Sequence, residues 1–158
     1  KTNYKCLMPT NTFGPNDHYD ALNSHFLPAL IKKVHDLKLN NKKELTLWGN
    51  GLAKREVIYV DDIADACIFF MKKNFLGTIL NIGTGKDFSI KQYAKIILNK
   101  IIPKNKIKIR YDLSKPNGTP RKVLDIKLAN KYGWKPKTKL DEAITKTYKN
   151  FLENNKIA

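Results

Sequence analysis

REVIYV, Arg55–Val60, runs without a break into DDIADACIFFMKK, Asp61–Lys73. The first six residues are mostly apolar and predict a strand. The next thirteen predict a helix, with Asp61 and Asp62 at its positive amino end and Lys72 and Lys73 at its negative end. Ile63, Cys67, Phe70 and Met71 recur at helical spacing as its expected buried face. Asp61 and Asp62 are read as helix-capping, structural carboxylates, because they stand where unpaired N–H groups need acceptors.

Working outward, YKCLMP before Pro9 is a short apolar run, read as a buried strand that delivers a loop at its carboxyl end. The loop TNTFGPNDHYDALNS is rich in turn formers. Phe26, Leu27, Leu30, Ile31, Val34 and Leu37 then keep three- and four-residue spacing, with Asn23 or Ser24 as the expected cap and Pro28 in the first turn. ELTLW alternates and predicts a strand, and its GNG ending reads as a hairpin turn toward REVIYV. GTILNIGTG is a strand entering a glycine turn. Ser89 and Gln92 have the form of a capping box for a helix through Tyr93, Ile97 and Ile101. KIKIRY predicts a strand near a sheet edge, because its polar positions are lysines. DLSKPNGTPRK is a long loop, and a box-like Thr138-to-Asp141 signal precedes a last helix with Ala143, Ile144, Tyr148, Phe151 and Leu152 on one stripe.

Strands and helices at this spacing give an α/β class with no separable second domain. A length of 158 residues suffices for one core or for half of a larger domain. No apolar run approaches the roughly 20 residues that span a bilayer, and no leader pattern opens the chain, so a cytoplasmic protein without a membrane partner is expected. The net charge is +16, from 27 Lys and 3 Arg against 14 acids. Nucleic-acid recognition leans on the arginine fork, so this lysine-dominated, scattered charge argues against a nucleic-acid partner. Cys6 and Cys67 sit among apolar neighbours and read as buried free thiols, and the histidines lack metal-site spacing, so no metal is expected. No glycine-rich dinucleotide loop occurs in the sequence, and Tyr111 with Lys115 is its one pair at Tyr-x-x-x-Lys spacing, at the start of the long DLSKPNGTPRK loop.

The strings MPTNTFGPND, NSHFLPALIKK, LTLWGNGLAKREVIYVDDIADA, NIGTG and SKPNGTPRKVLD follow one another. In that order they resemble the GDP-L-fucose synthases, extended short-chain dehydrogenases of the epimerase/dehydratase superfamily. The resemblance implies the carboxyl-terminal part of a Rossmann-type domain with its small substrate-binding α/β subdomain. Residues 1–23 would hold the last Rossmann-type strand and the cofactor loop, and residues 24–158 mostly the substrate-binding portion, with strands returning to the main sheet. It implies NADP(H) as cofactor and GDP-4-keto-6-deoxy-D-mannose as substrate, epimerised at carbons 3 and 5 and then reduced at carbon 4. A parent homodimer is expected.

Carried over residue by residue, Pro9, Thr10, Asn11, Thr12 and His25 would touch the cofactor, and His25 would be the acid of epimerisation. An imidazole, with an ordinary pKa near 6.5, holds a proton at neutral pH and still releases it, which is what delivering a proton to an enolate requires. Lys33, Trp48, Arg55, Lys108 and Lys122 would contact the GDP-sugar. Lys33 replaces a usual arginine and keeps its charge without its two-pronged geometry. Trp48 reads equally well as core aromatic or ligand platform, and His18 and His35 read as structural or solvent-facing. The chain by itself is expected to be inert, since the resemblance matches none of its residues to the family's glycine-rich loop, catalytic tyrosine and lysine, or active-site serine and cysteine. Two alternatives stay open: a related GDP-keto-sugar enzyme, for example one acting on a heptose through residues Asp17–Leu22, or a non-catalytic sugar-nucleotide-binding fragment.

Overall fold

The computed structural model describes residues 4–20, 23–73, 75, 77–104 and 106–154. In chain order the elements are β1 (Cys6–Pro9), β2 (Asn11–Phe13), α1 (Phe26–Leu39), β3 (Glu44–Trp48), β4 (Lys54–Tyr59) and α2 (Val60–Lys72). They continue with β5 (Ile79–Ile82), β6 (Asp87–Ser89), α3 (Ile90–Ile101), β7 (Lys108–Asp112), β8 (Arg121–Lys122), α4 (Lys127–Lys131) and α5 (Leu140–Asn154).

β1 pairs in parallel with β5, β2 with β4, and β3 with β7, while β4 also holds β6 antiparallel and β8 parallel. Parallel pairing needs a crossover, and α1 and α2 lie in the connections. Two of these parallel pairs, β1 with β5 and β2 with β4, open and close within residues 6–82. This corrects the expected fold class in one respect. The α/β character is present, but the Rossmann-type arrangement occupies the amino-terminal part of this chain rather than marking the chain as a carboxyl-terminal part. The physical cause is that YKCLMP, REVIYV and TILNI are themselves the parallel strands, with helices between them.

Two apolar clusters hold the fold. One joins α1, α3 and α5 to β3 and β4 through Ile31, Val34, Leu45, Leu47, Tyr93, Ile97 and Ile144. The other sets Ala66 and Phe70 of α2 against Leu80, Ile82, Phe75, Ala129 and Trp134. On α2 the buried positions are Asp62, Ala66 and Phe70. Of the expected face, Phe70 is buried and Ile63 is partly buried against the second cluster, whereas Cys67 is exposed and Met71 is 85% exposed. Cys6 is also exposed, because β1 pairs with β5 along one side and its own side chains are largely open. The expectation of a buried β1 and of buried thiols is therefore overturned.

The GNG turn does not make a hairpin; among the described residues β3 and β4 are not paired. Gly49 and Gly51 take left-handed φ values of 63° and 69°, which a side chain would strain. The Gly49 N–H continues the β3–β7 ladder by donating to Asp112 O at 2.9 Å. Asp62 does not cap α2; it accepts from the Lys137 N–H (3.0 Å) and from the Thr138 N–H and hydroxyl, tying α2 to the entry of α5. The Thr138 hydroxyl is spent on that contact rather than on a capping box.

The Ser89 box forms as read. Ser89 Oγ accepts the Gln92 N–H at 3.2 Å and Gln92 Oε1 accepts the Ser89 N–H at 2.8 Å. Ser89→Ala is expected to cost about 1 kcal/mol, and a thermal-unfolding midpoint lowered by about 2–4 °C checks it.

Candidate active site: a histidine cleft joined to a cationic pocket

His25 is the N-cap of α1, one or two residues beyond the expected cap, with extended φ and ψ of −61° and 158°. Its carbonyl accepts the Ala29 N–H at 3.0 Å, so the backbone is fixed while the imidazole makes no capping bond. The ring is exposed and has no hydrogen-bond partner among the described residues. It lines an open cleft of about 620 Å³ with Pro9, Thr10, Asn11, Thr12, Lys122, Val123 and Leu124. All five residues expected at the cofactor thus meet in one cleft, together with Lys122.

A second pocket of about 290 Å³ is lined by Lys33, Trp48 and Arg55, with Ser24, Phe26, Ile90, Pro116 and Asn117. Two links make the cleft and the pocket neighbours. Ser24 and His25 are consecutive and line one each. Arg55 of β4 and Lys122 of β8 are register partners, which puts their Cα atoms about 4.8 Å apart. Trp48 is 54% exposed, so it belongs to the pocket surface and not to the core.

Lys108 is not brought to either lining. It pairs with Glu44 at one end of the β3–β7 ladder, whereas Trp48 pairs with Asp112 at the other, about 13 Å along the strand. Of the three arginines, Arg110 is bound to Glu44 and Arg121 to Asp87, so Arg55 is the one that lines the pocket. Arg55 Nη1 donates to Thr119 O at 2.6 Å and Lys54 O at 2.7 Å. Burial lowers the pKa of the Lys33 ammonium from the usual lysine value, as expected of a cation partly withdrawn from water. His35 is elsewhere: its Nδ1 meets Tyr148 Oη at 3.0 Å within an aromatic group with Phe151, and burial lowers its pKa.

Glu56, which the sequence reading passed over, organises the histidine cleft. It is 0% exposed. Its Oε1 accepts the N–H groups of Thr84 (2.5 Å) and Gly85 (2.7 Å), and its Oε2 accepts that of Leu124 (2.7 Å). Its backbone carbonyl takes the Asn11 side-chain N–H at 2.8 Å and the Thr10 hydroxyl at 3.4 Å. One buried carboxylate thereby fastens the NIGTG turn and the segment after Lys122 to β4, and so shapes the cleft. Gly83 is required beside it, because a Cβ there would collide with Glu56 Oε1. The available signal was an acidic residue in β4 where charged Lys54 and Arg55 give way to apolar Val57, Ile58 and Tyr59.

The model of the NAD dependent epimerase/dehydratase family matches residues 1–83. That match lies in the amino-terminal part of the chain and overturns the expectation that the chain represents a carboxyl-terminal part only. Putative GDP-L-fucose synthase 2 of Arabidopsis thaliana is 42% identical over 147 residues, covering 93% of this chain and 44% of that protein. The chain spans about half the length of the curated relatives it matches. A GDP-L-fucose synthetase from Naegleria fowleri solved with NADP is 26% identical with a TM-score of 0.84, over 98% of this chain and 48% of that one. A GDP-6-OMe-4-keto-L-xylo-heptose reductase from C. jejuni is 30% identical with a TM-score of 0.83, over 98% and 55%. Among the described residues no helix is long and apolar enough to cross a membrane.

Proposed function

The chain belongs to the NAD dependent epimerase/dehydratase family, and on that premise we propose that it supplies the GDP-sugar site and the acid histidine of an enzyme making GDP-L-fucose. The substrate of that enzyme is GDP-4-keto-6-deoxy-D-mannose, and the reaction is 3,5-epimerisation followed by NADPH-dependent reduction. The observation that carries the reading is the junction of the two sites. An exposed, unpaired imidazole opens onto the same wall, β4 with β8, that carries the cations Arg55 and Lys122.

The chemistry follows from the groups present. Arg55, Lys33 and Lys122 suit a diphosphate, which anchors the nucleotide and leaves the sugar near His25. A proton next to a keto group is acidified because its loss gives an enolate, and a separate base must take it. His25 then delivers a proton from an imidazole nitrogen to the opposite face of the enolate carbon, inverting that centre. Among the described residues no carboxylate side chain lines the cleft, so none of them sets a fixed negative charge against an anion there.

The cleft also fits the nicotinamide end of NADP(H). The side chains of Thr10, Asn11 and Thr12 are held by Glu56 O and by Thr10 O, which fixes the edge they present. The cofactor, when bound, supplies the hydride for the carbon 4 reduction. Its pyrophosphate needs a glycine-rich loop that is not in this sequence, and among the described residues no tyrosine lines the cleft to protonate the alkoxide. The chain alone is therefore expected to bind without turnover.

Calorimetric titration tests the reading. GDP is expected to bind with a Kd below about 1 mM and more tightly than ADP, and Arg55→Lys should weaken it about tenfold through loss of the planar fork. Equal affinity for GDP and ADP, unmoved by Arg55→Lys, would contradict it. A second reading keeps the nucleotide and changes the sugar to a 4-keto-heptose, supported by the likeness to the heptose reductase. The segment that would discriminate runs from Asp17 to Leu22, of which Ala21 and Leu22 lie outside the described residues.

A further inference from the structure

Two ammonium groups share the ring of Trp48. Lys33 Nζ lies 5.4 Å and Lys115 Nζ 5.7 Å from its centroid, both inside the roughly 6 Å range over which the ring quadrupole attracts a cation. Neither ammonium is within ion-pair distance of a carboxylate among the described residues. The acid that acts on Lys115 through space is Asp112, whose Oδ1 is already taken by the N–H (3.1 Å) and hydroxyl (2.5 Å) of Ser114. Two cations within about 6 Å of one ring centroid repel each other, and an anion bound near both relieves that repulsion.

The loop that carries Lys115 is stapled in place. Asn117 Oδ1 accepts the Asn50 N–H at 2.7 Å, directly after Trp48 and Gly49. The left-handed Gly49 leaves the space that Asn117 fills, since a Cβ there would collide with the Asn117 side chain. The Lys115 N–H donates to Asp112 O at 3.2 Å, and Thr119 O accepts from Arg55 Nη1 at 2.6 Å. The loop is thus fixed at its start, middle and end around the pocket of Lys33, Trp48 and Arg55.

We propose that Lys115 is a further diphosphate-binding residue of this pocket and that Asn117 is the positioning residue that holds it over Trp48. The proposal rests on the reading of the pocket as a nucleoside-diphosphate site and adds a cation that the sequence reading did not single out. Trp48 serves here as a holder of cations rather than as a surface on which a base stacks.

The test is calorimetric titration of inorganic pyrophosphate, GDP and ADP into the chain, with Lys115→Met, Asn117→Ala and the double variant. Lys115→Met is expected to weaken pyrophosphate and GDP about tenfold, the size of one lost charge-assisted hydrogen bond. Asn117→Ala should weaken both ligands less, and the double variant should bind no more weakly than Lys115→Met alone, because Asn117 acts through Lys115. GDP bound equally by wild type and Lys115→Met overturns the proposal and leaves the GDP-sugar reading standing. Lys115-dependent pyrophosphate binding with no preference for GDP over ADP supports the proposal and overturns that reading. Binding of neither ligand overturns both. Additive losses in the double variant overturn the positioning role of Asn117.

Discussion

His25→Asn is expected to lower epimerising turnover by about 10²–10⁴-fold, the usual contribution of a positioned proton donor. GDP affinity should stay within about twofold, because the imidazole lines the cleft and not the cationic pocket. Turnover is read as GDP-L-fucose formed by an active NADPH-dependent preparation that contains these residues, and affinity as a GDP titration of the chain. The separation of the two effects is the informative part. A loss of turnover matched by an equal loss of GDP affinity would make His25 a binding residue. Undiminished turnover would remove it from the chemistry. Asparagine leaves the cap of α1 intact, since it is among the best N-cap residues, so a folding defect is not expected to confuse the result.

Glu56→Ala is expected to destabilise the chain by about 3–5 kcal/mol, because it leaves the N–H groups of Thr84, Gly85 and Leu124 without their acceptor beside a newly opened cavity. The corresponding fall in thermal midpoint is on the order of 10 °C. Glu56→Gln keeps the volume and one acceptor oxygen, yet turns an amide N–H₂ toward donors, so its loss should be smaller but still measurable. Urea unfolding of the three proteins gives the comparison. A change below about 1 kcal/mol for Glu56→Ala would mean that water replaces the carboxylate without cost, and that the NIGTG turn does not depend on it.

Much of this fold was legible from periodicity. α1, α3 and α5 bury residues that the three- and four-residue spacing picks out, and the Ser89 box forms with both of its hydrogen bonds. Three features misled. The GNG turn has hairpin composition, but the partner of β3 is β7, about sixty residues further along, and local sequence carries no record of such pairing. Cys6 and Cys67 have apolar neighbours in sequence, yet each lies on a side of its element that packs against little. The Rossmann-type pairs sit early in the chain, where the strand pairing is between β1 and β5 and between β2 and β4.

The site divides in the same way. His25, Lys33, Trp48, Arg55 and Lys122 were reached through motif resemblance, and the structure sets His25 and Lys122 in one cleft and Lys33, Trp48 and Arg55 in a second pocket. Lys108 shares a strand with Arg110 and Asp112, and the register carries it away from Trp48. Glu56 stood inside a recognised strand directly after Lys54 and Arg55, where its charge reads as one more solvent-facing group. Lys115 and Asn117 lie in SKPNGTPRK, a loop with no period to read. Their role depends on contacts with Trp48 and Asn50, which only the folded chain brings near.

The central claim is that the histidine cleft and the cationic pocket form one nucleotide-sugar site, and a magnetic resonance titration with GDP-L-fucose tests it most directly. The two tryptophans differ sharply, Trp48 being 54% and Trp134 2% exposed, so their indole N–H signals make an internal control. The account predicts that the Trp48 indole and the His25 ring shift together along one binding curve, while Trp134 and His35 stay still. Movement of Trp48 without His25, or of neither, would contradict it.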